Sequence, residues 1–283
     1  MKFTVLGSGG CVALPKPLCQ CSVCKEAREK GSPYSRFGCS LFLHDLNLLV
    51  DTPEDIVHAL NHADIQEVNS VLFSHMDPDH TLGMRVFEHL RLNWFEISEG
   101  KECTNPIDVF AMEHVMEDIN AIRSKYGSYL DYYEKVRNII KRNVVTDFIY
   151  LKNIKLTFVE AGIATVFVFE EGDKKVIYAP CDVKPFPEND IFKNADIMVT
   201  GNTIVGEILK DGYILRDGNS IKDELFSMSE IEQLKNKYNI QKVVMTHLEE
   251  DWGKSYDDYL ELEKQYEDII FAYDGMNIEL WGN

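Results

Sequence analysis

No apolar run in the chain approaches the roughly 18 residues that span a bilayer, which excludes a transmembrane helix. The opening residues Met1-Lys2-Phe3-Thr4-Val5-Leu6 lead straight into a strand and a Gly-rich turn. They lack the apolar core and cleavage pattern of a secretory signal, so the expected compartment is the cytoplasm. Basic residues are scarce: 29 Lys and Arg stand against 47 Asp and Glu, a net charge of −18. That balance repels phosphate backbones and argues against nucleic acid and anionic membranes as partners. Gly7-Ser8-Gly9-Gly10 lacks the following Gly-Lys-Ser/Thr of a phosphate loop and reads as a turn. There is no internal repeat, low-complexity tract or linker-like stretch, so one α/β domain spanning 1–283 is the simplest account.

What is present is chemically dense. The apolar run Ser70-Val71-Leu72 predicts a buried strand, and directly after it comes Phe73-Ser74-His75-Met76-Asp77-Pro78-Asp79-His80-Thr81-Leu82-Gly83. Two imidazoles and two carboxylates within six residues form a mixed N/O ligand set suited to a hydrolytic metal centre. Pro78 and Gly83 stop the strand and let the chain fold back, so these side chains can converge. Seven Cys in a chain without a secretory signal read as reduced thiols. Three of them, Cys19, Cys21 and Cys24, fall in a Pro-rich segment without strand or helix period and suit a structural zinc. That zinc loop covers 15–25, and its fourth ligand must come from elsewhere.

Strands are expected at Lys2–Leu6, Cys39–Leu43, Asn47–Val50, Ile107–Ala111, Ile154–Val159, Thr165–Glu170, Lys175–Ala179, Ile197–Thr200 and Lys242–Thr246, with closing strands around Ile269–Ala272 and Asn277–Trp281. Helices are expected at Pro53–Ala63, Met84–Trp94, Ser229–Tyr238, with Ser229 and Glu232 as a capping pair, and Tyr256–Tyr266. In 113–142, Val115, Ile119, Ile122, Tyr126, Leu130, Tyr133, Val136 and Ile140 recur at steps of three or four. This predicts a helical insert, one helix broken near Gly127 or two, placed to cover a cleft. Several apolar strands end in a possible ligand: Val50 in Asp51, Phe73 in Ser74-His75, Tyr178 in Ala179-Pro180-Cys181-Asp182, and Met245 in Thr246-His247. Open α/β sheets gather their chemistry at strand carboxyl ends, where these residues could meet.

These motifs, with Tyr273-Asp274-Gly275-Met276-Asn277-Ile278 near the end, resemble those of the metallo-β-lactamase-fold hydrolases, and within them the PhnP-like phosphoribosyl cyclic phosphodiesterases. The resemblance covers nearly the whole chain. It implies an αββα sandwich of two packed mixed sheets with outer helices and a metal centre at one edge. The family loop falls on His75, Asp77, Asp79 and His80, the bridging Asp on Asp182 and the last His on His247. Asp79, His80, Asp182 and His247 would form the better-furnished metal position, and His75 with Asp77 a depleted one. The family's second His is Asp77 here, and the His before the Thr165–Glu170 strand has no counterpart, leaving Glu160 as a candidate replacement. The ligand set thus shifts from nitrogen towards oxygen, favouring a weaker first position or a harder ion such as Mn or Fe over Zn.

At the Cys site the family's fourth ligand, a His, is Glu250 here, with Asp251 as the other nearby choice. The implied cofactors are one or two divalent ions (Zn, Mn or Fe) at the active site and one structural Zn. The implied activity is a phosphodiesterase-like hydrolase that cleaves a small, conceivably cyclic, phosphate ester with a metal-activated water, Asp79 being both ligand and catalytic residue. A homodimer is compatible with this reading. The family's catalytic His after Thr200 is absent. The competing reading is a non-hydrolytic, metal- or ligand-binding member of the same fold, and a third is an iron oxidoreductase.

Overall fold

In a computed structural model the structure describes residues 1–125 and 127–280. Tyr126 and Trp281, which the sequence reading places in the helical insert and the last strand, lie outside the described residues.

Two seven-stranded mixed sheets face each other. Across the first the order is Met276–Glu279, Lys2–Gly7, Ser40–Leu43, Leu48–Val50, Ser70–Leu72, Ile107–Ala111 and Ile140–Val144. Across the second it is Ile269–Phe271, Lys242–Met245, Ile197–Thr200, Lys174–Ala179, Ala164–Glu171, Ile154–Ala161 and Phe148–Leu151. The inner faces interleave: Phe3, Leu41, Leu43, Val50 and Leu72 meet Leu156, Phe167, Phe169, Val176 and Val244 in one apolar cluster. Phe3 and Phe169 pack edge to face at 5.3 Å, the favoured geometry for two aromatic rings. Each outer face is covered by helices. Ile56–His62, Val86–Arg91 and Glu113–Asn120 pack on the first sheet, and Met228–Tyr238 and Tyr256–Glu263 on the second. The layers are therefore the expected αββα sandwich.

The expected strands form to within a residue or two at each end. The differences are local. The Met228–Tyr238 helix is capped two residues earlier than expected, by a reciprocal pair of Ser227 and Glu230 rather than Ser229 and Glu232. A Ser22–Lys30 helix grows out of the Cys segment, with Cys21 accepting from the Cys24 amide at its start. Met84–Trp94 splits into Leu82–Arg85, Val86–Arg91 and a separate Trp94–Ser98 turn, leaving Trp94 exposed.

The largest departure is the 113–142 insert. Only Glu113–Asn120 is a sustained α-helix; a short hairpin at Arg123–Ser124 and Gly127–Ser128 and a π-helical turn at Tyr132–Val136 follow. Ile140 belongs to an edge strand, Ile140–Val144, paired parallel with Ile107–Ala111. Periodicity misled here because Leu130, Tyr133 and Ile140 are buried against the same outer face, whether helix or strand carries them. Among the described residues no helix is long and apolar enough to cross a membrane.

Strands 48–50, 70–72, 107–111 and 140–144 run parallel in one sheet, as do 174–179, 197–200, 242–245 and 269–271 in the other. Their carboxyl ends share one edge of the sandwich, which is where parallel α/β sheets place their chemistry. The sheets are tied together there by the Thr165 amide, which donates to the Ser74 carbonyl at 2.8 Å.

Candidate metal centre

All six sequence-predicted ligands meet at that edge, and a seventh donor joins them. His75, Asp77 and Asp182 form one group; Asp79, His80 and His247 form another. Cys181 closes on His75 and His80 in a third overlapping group. Within the second group Asp79 Oδ2 lies 3.2 Å from His247 Nε2 and 3.5 Å from His80 Nε2. Within the first, Asp182 Oδ2 lies 3.4 Å and Asp77 Oδ2 4.0 Å from His75 Nε2. Asp182, on which the family's bridging Asp falls, thus groups with His75 and Asp77. The depleted position gains a ligand that way. Glu160 is exposed on its strand and belongs to none of these groups, so it does not replace the missing imidazole.

Local backbone explains why strand-end residues turn inward. Asp51, Asp182 and His247 all adopt left-handed conformations, with φ of 62°, 53° and 50°. That conformation costs a non-glycine residue energy and clusters at functional sites. It turns the chain just past the strand ends, where Asp182 and His247 themselves join the cluster.

The protons on the histidines are fixed by what lies behind them. Asp51 is fully buried and is not a ligand. Its Oδ1 accepts from the Ser74 amide at 2.8 Å, and its Oδ2 accepts from Ser74 Oγ at 2.6 Å and from His80 Nδ1 at 2.9 Å. Because Ser74 Oγ spends its hydrogen on Asp51, it can only accept from His75 Nδ1, 2.8 Å away. His247 Nδ1 stands 3.0 Å from Glu249 Oε1, at ion-pair distance though not aligned as a hydrogen bond. An oxygen therefore stands behind each imidazole and leaves each Nε2 facing the cluster, the arrangement that metal-binding histidines need. The donor set, its convergence and its backing all fit divalent ions.

Charges in the cluster are mutually adapted. Burial resists ionisation of Cys181, but the charges of His80, His75 and His247 outweigh it and draw the thiol down to about 5. Burial resists protonation of His80, yet Cys181 and Asp51 raise it to about 9. His75 and His247 are likewise pushed up against burial, chiefly by Cys181 and then by Asp182 and Asp79 respectively. Burial of Asp79 is outweighed by its hydrogen bond to His247, and Asp182 is lowered first by its bond to His75.

Without an ion, protons on the imidazoles supply the positive charge, and an ion must expel them to bind. We expect zinc binding at pH 7 to release at least one proton per ion, with affinity still rising with pH through about 9, where His80 gives up its proton. Calorimetric titration in two buffers of different ionisation enthalpy reads the proton count; no buffer dependence would contradict the charge pattern.

Two of the tightly packed glycines stand against His247 and the group behind it. A Cβ on Gly10 would sit 2.1 Å from Glu249 Oε1, the group behind His247. One on Gly201 would sit 2.5 Å from both His247 Cβ and the Thr246 carbonyl. Gly201→Ala should therefore cost roughly 1–3 kcal/mol through overpacking and push His247 out of line. Loss of metal at the Asp79/His80/His247 group with a lowered denaturation midpoint is the expected result; unchanged metal content would refute it.

The second cluster also assembles. The sulfurs of Cys19, Cys21 and Cys24 and a Glu250 oxygen all lie within 4.8 Å of one another. Cys24 Sγ is 3.1 Å from Glu250 Oε1, while Glu250 Oε2 is buried with no hydrogen-bond partner. An orphaned buried carboxylate oxygen beside three thiols fits a bound cation. Glu250, not the exposed Asp251, is the residue in place. Lys210 Nζ reaches Glu250 Oε1 and stands 3.3 Å from Cys19 Sγ, offsetting the excess negative charge. An ion held at a thousand times its Kd contributes about 4 kcal/mol. Stripping it, or Cys24→Ser, should thus lower Tm by roughly 10 °C in calorimetry; an unshifted melt would count against an ion there.

The sequence reading missed Cys181 as a cluster member, although it stands beside Asp182. It also treated Asp51 as one more strand-end group, and did not single out Glu249. At Thr200, where a catalytic His is absent, Asn202 donates to Asp182 Oδ1 at 3.4 Å instead.

Two facing mixed sheets, outer helices and a His/Asp centre at the shared edge define the metallo-β-lactamase fold, and this chain has it. Within that class it is similar along almost its whole length to a diphosphatase of the PhnP family, at 18% identity and TM-score 0.68, covering 99% of this chain and 98% of the other. It is also similar to Zn(2+)-bound PqqB from Methylobacterium extorquens, at 17% identity and TM-score 0.73, covering 99% and 100%. The metallo-β-lactamase fold protein YhfI from Bacillus subtilis matches at 14% identity and TM-score 0.62, covering 98% of each chain. No protein-family model matches the sequence, and neither does any curated protein.

Proposed function

We propose that this protein is a metal-dependent hydrolase acting on a small phosphate ester as a phosphodiesterase. The observation that carries the reading is the convergence of three histidines, each backed at Nδ1 by an oxygen, with Asp77, Asp79, Asp182 and Cys181. The similarity to a PhnP-family diphosphatase and to Zn(2+)-bound PqqB supports it. Two ions held by these residues would supply an acidified water and a positive surface for a phosphate. The chain's own groups do the rest. Asp79, about one-fifth exposed where His80 and His247 are buried, is placed to meet the attacking water and take its proton. Asp51 and Ser74 hold the imidazoles in one tautomer, so no reorganisation is needed when substrate arrives. A net charge of −18 disfavours long polyanions and favours a small ester. A cavity of about 710 Å³ is lined by Lys184, Ile214, Leu215, Met228 and Tyr266 and by no ligand of the centre, so we place no substrate there.

The test is cleavage of bis(p-nitrophenyl) phosphate by protein loaded with zinc or manganese. Turnover that chelation removes and metal restores is expected. No turnover with any divalent ion, in protein shown to hold metal at the centre, would sink the proposal.

A further inference from the structure

We propose that Cys181 is a shared ligand: its thiolate bridges the Asp79/His80/His247 position and the His75/Asp77/Asp182 position. This rests on the reading that the centre holds metal. Cys181 is buried, and its Sγ lies 3.3 Å from His75 Nε2 and 3.2 Å from His80 Nε2, one imidazole from each group. Nitrogen and sulfur ligands of one zinc, at bond lengths of about 2.0–2.3 Å, stand roughly 3.5 Å apart, so these separations are those of ligands to a common ion. Asp182 does not take that place. The left-handed turn at Asp182 swings its carboxylate to the His75 side, where Asn202 holds it. Cys39 offers no competing thiol partner for Cys181, since its Sγ faces Tyr178 OH and Thr246 Oγ1.

The charges agree. Asp77, Asp79, Asp182 and a Cys181 thiolate balance two divalent ions against three neutral imidazoles, the thiol proton going to solvent. A bridging sulfur also reverses the preference inferred from oxygen-rich ligands, favouring zinc, iron or cobalt over manganese or magnesium.

Cobalt(II) distinguishes the outcomes, because a thiolate ligand adds a near-ultraviolet charge-transfer band that carboxylate and imidazole do not. The wild-type protein, Cys181→Ser, Cys181→Asp and His80→Ala would be titrated with cobalt, with metal counted by elemental analysis and folding followed by circular dichroism. The wild type should show charge transfer beyond that of the Cys19/Cys21/Cys24 site. Its low-temperature electron paramagnetic resonance should be weakened by coupling between two ions. Cys181→Ser should lose that extra band and weaken binding of the second ion by at least the roughly 10–100-fold that losing a supporting residue costs. Cys181→Asp should restore two ions without the band.

If Cys181→Ser keeps the wild-type band and metal count while His80→Ala lowers the metal count alone, the centre holds metal and Cys181 is no ligand. If the band goes but the resonance signal is unchanged, the thiolate is terminal and sharing is refuted. If neither substitution alters cobalt binding, metal sits only at the Cys19/Cys21/Cys24 site and the reading of the centre itself fails.

Discussion

Asp51→Asn should strip the metal centre while leaving most of the fold intact. Asp51 is buried and faces three donors: the Ser74 amide, Ser74 Oγ and His80 Nδ1. An asparagine has one oxygen and one NH₂ for the same places. Turned with its oxygen to the Ser74 amide, it presents N–H to His80 Nδ1. The imidazole proton must then move to Nε2, the nitrogen that faces the cluster, and His80 can no longer bind an ion. Turned the other way, its NH₂ opposes the Ser74 amide, and the loop that carries His75 must shift. Either way metal affinity should fall roughly 10–100-fold, the usual cost of removing such a supporting group. Asp51→Ala is harsher for the fold, because three buried donors lose their acceptor at about 1–3 kcal/mol each. Metal titration with denaturant unfolding of both variants reads the two effects separately. Wild-type metal affinity in Asp51→Asn would show that the His80 tautomer is not set by Asp51.

Asp79→Ala should cost the most activity. Its Oδ2 touches both His80 and His247, and its side chain is partly open to solvent where the imidazoles are not. Removing a group that both positions metal and handles a proton should lower kcat/KM for the phosphodiester by roughly 10²–10⁴-fold. Stability gives an independent readout. The carboxyl of Asp79 is held below the ordinary range by His247 and His80 against the cost of burial. A depressed carboxylate stabilises the fold above its unfolded value near pH 4, and that contribution is lost as pH falls further. In metal-free protein the advantage of the wild type over Asp79→Asn should therefore be present at neutral pH and fade below about pH 4. An advantage unchanged at low pH would contradict the contacts assigned to Asp79, and an active Asp79→Ala would contradict its role.

Much of this centre was legible in the primary structure, because the ligands cluster or sit at strand ends. His75, Asp77, Asp79 and His80 are local in sequence, and Cys19, Cys21 and Cys24 carry their own spacing. Asp182 and His247 follow apolar runs of the right length to end at a sheet edge. Glu250, inferred only from its offset after His247, stands among the three thiols. Cys181 escaped notice because a single thiol beside a carboxylate has no pattern; only the fold brings its sulfur against His75 and His80. The Ile140–Val144 strand escaped because a three-to-four-residue apolar spacing continues through it from a helix packed on the same face.

The resemblance to a known family therefore implied the αββα class, while the sequence itself determined most elements outside 113–151 and the chemical identity of nearly every donor. Those depend on local propensity, apolar spacing and residue type. Tertiary structure decided how the donors are partitioned. It placed Asp182 with His75 rather than with His247, set Cys181 between both groups, excluded Glu160, and turned Asp51 from a possible ligand into the anchor of His80. Those outcomes depend on left-handed turns at three strand ends and on two sheets packing face to face, and neither is encoded in the spacing of any one segment.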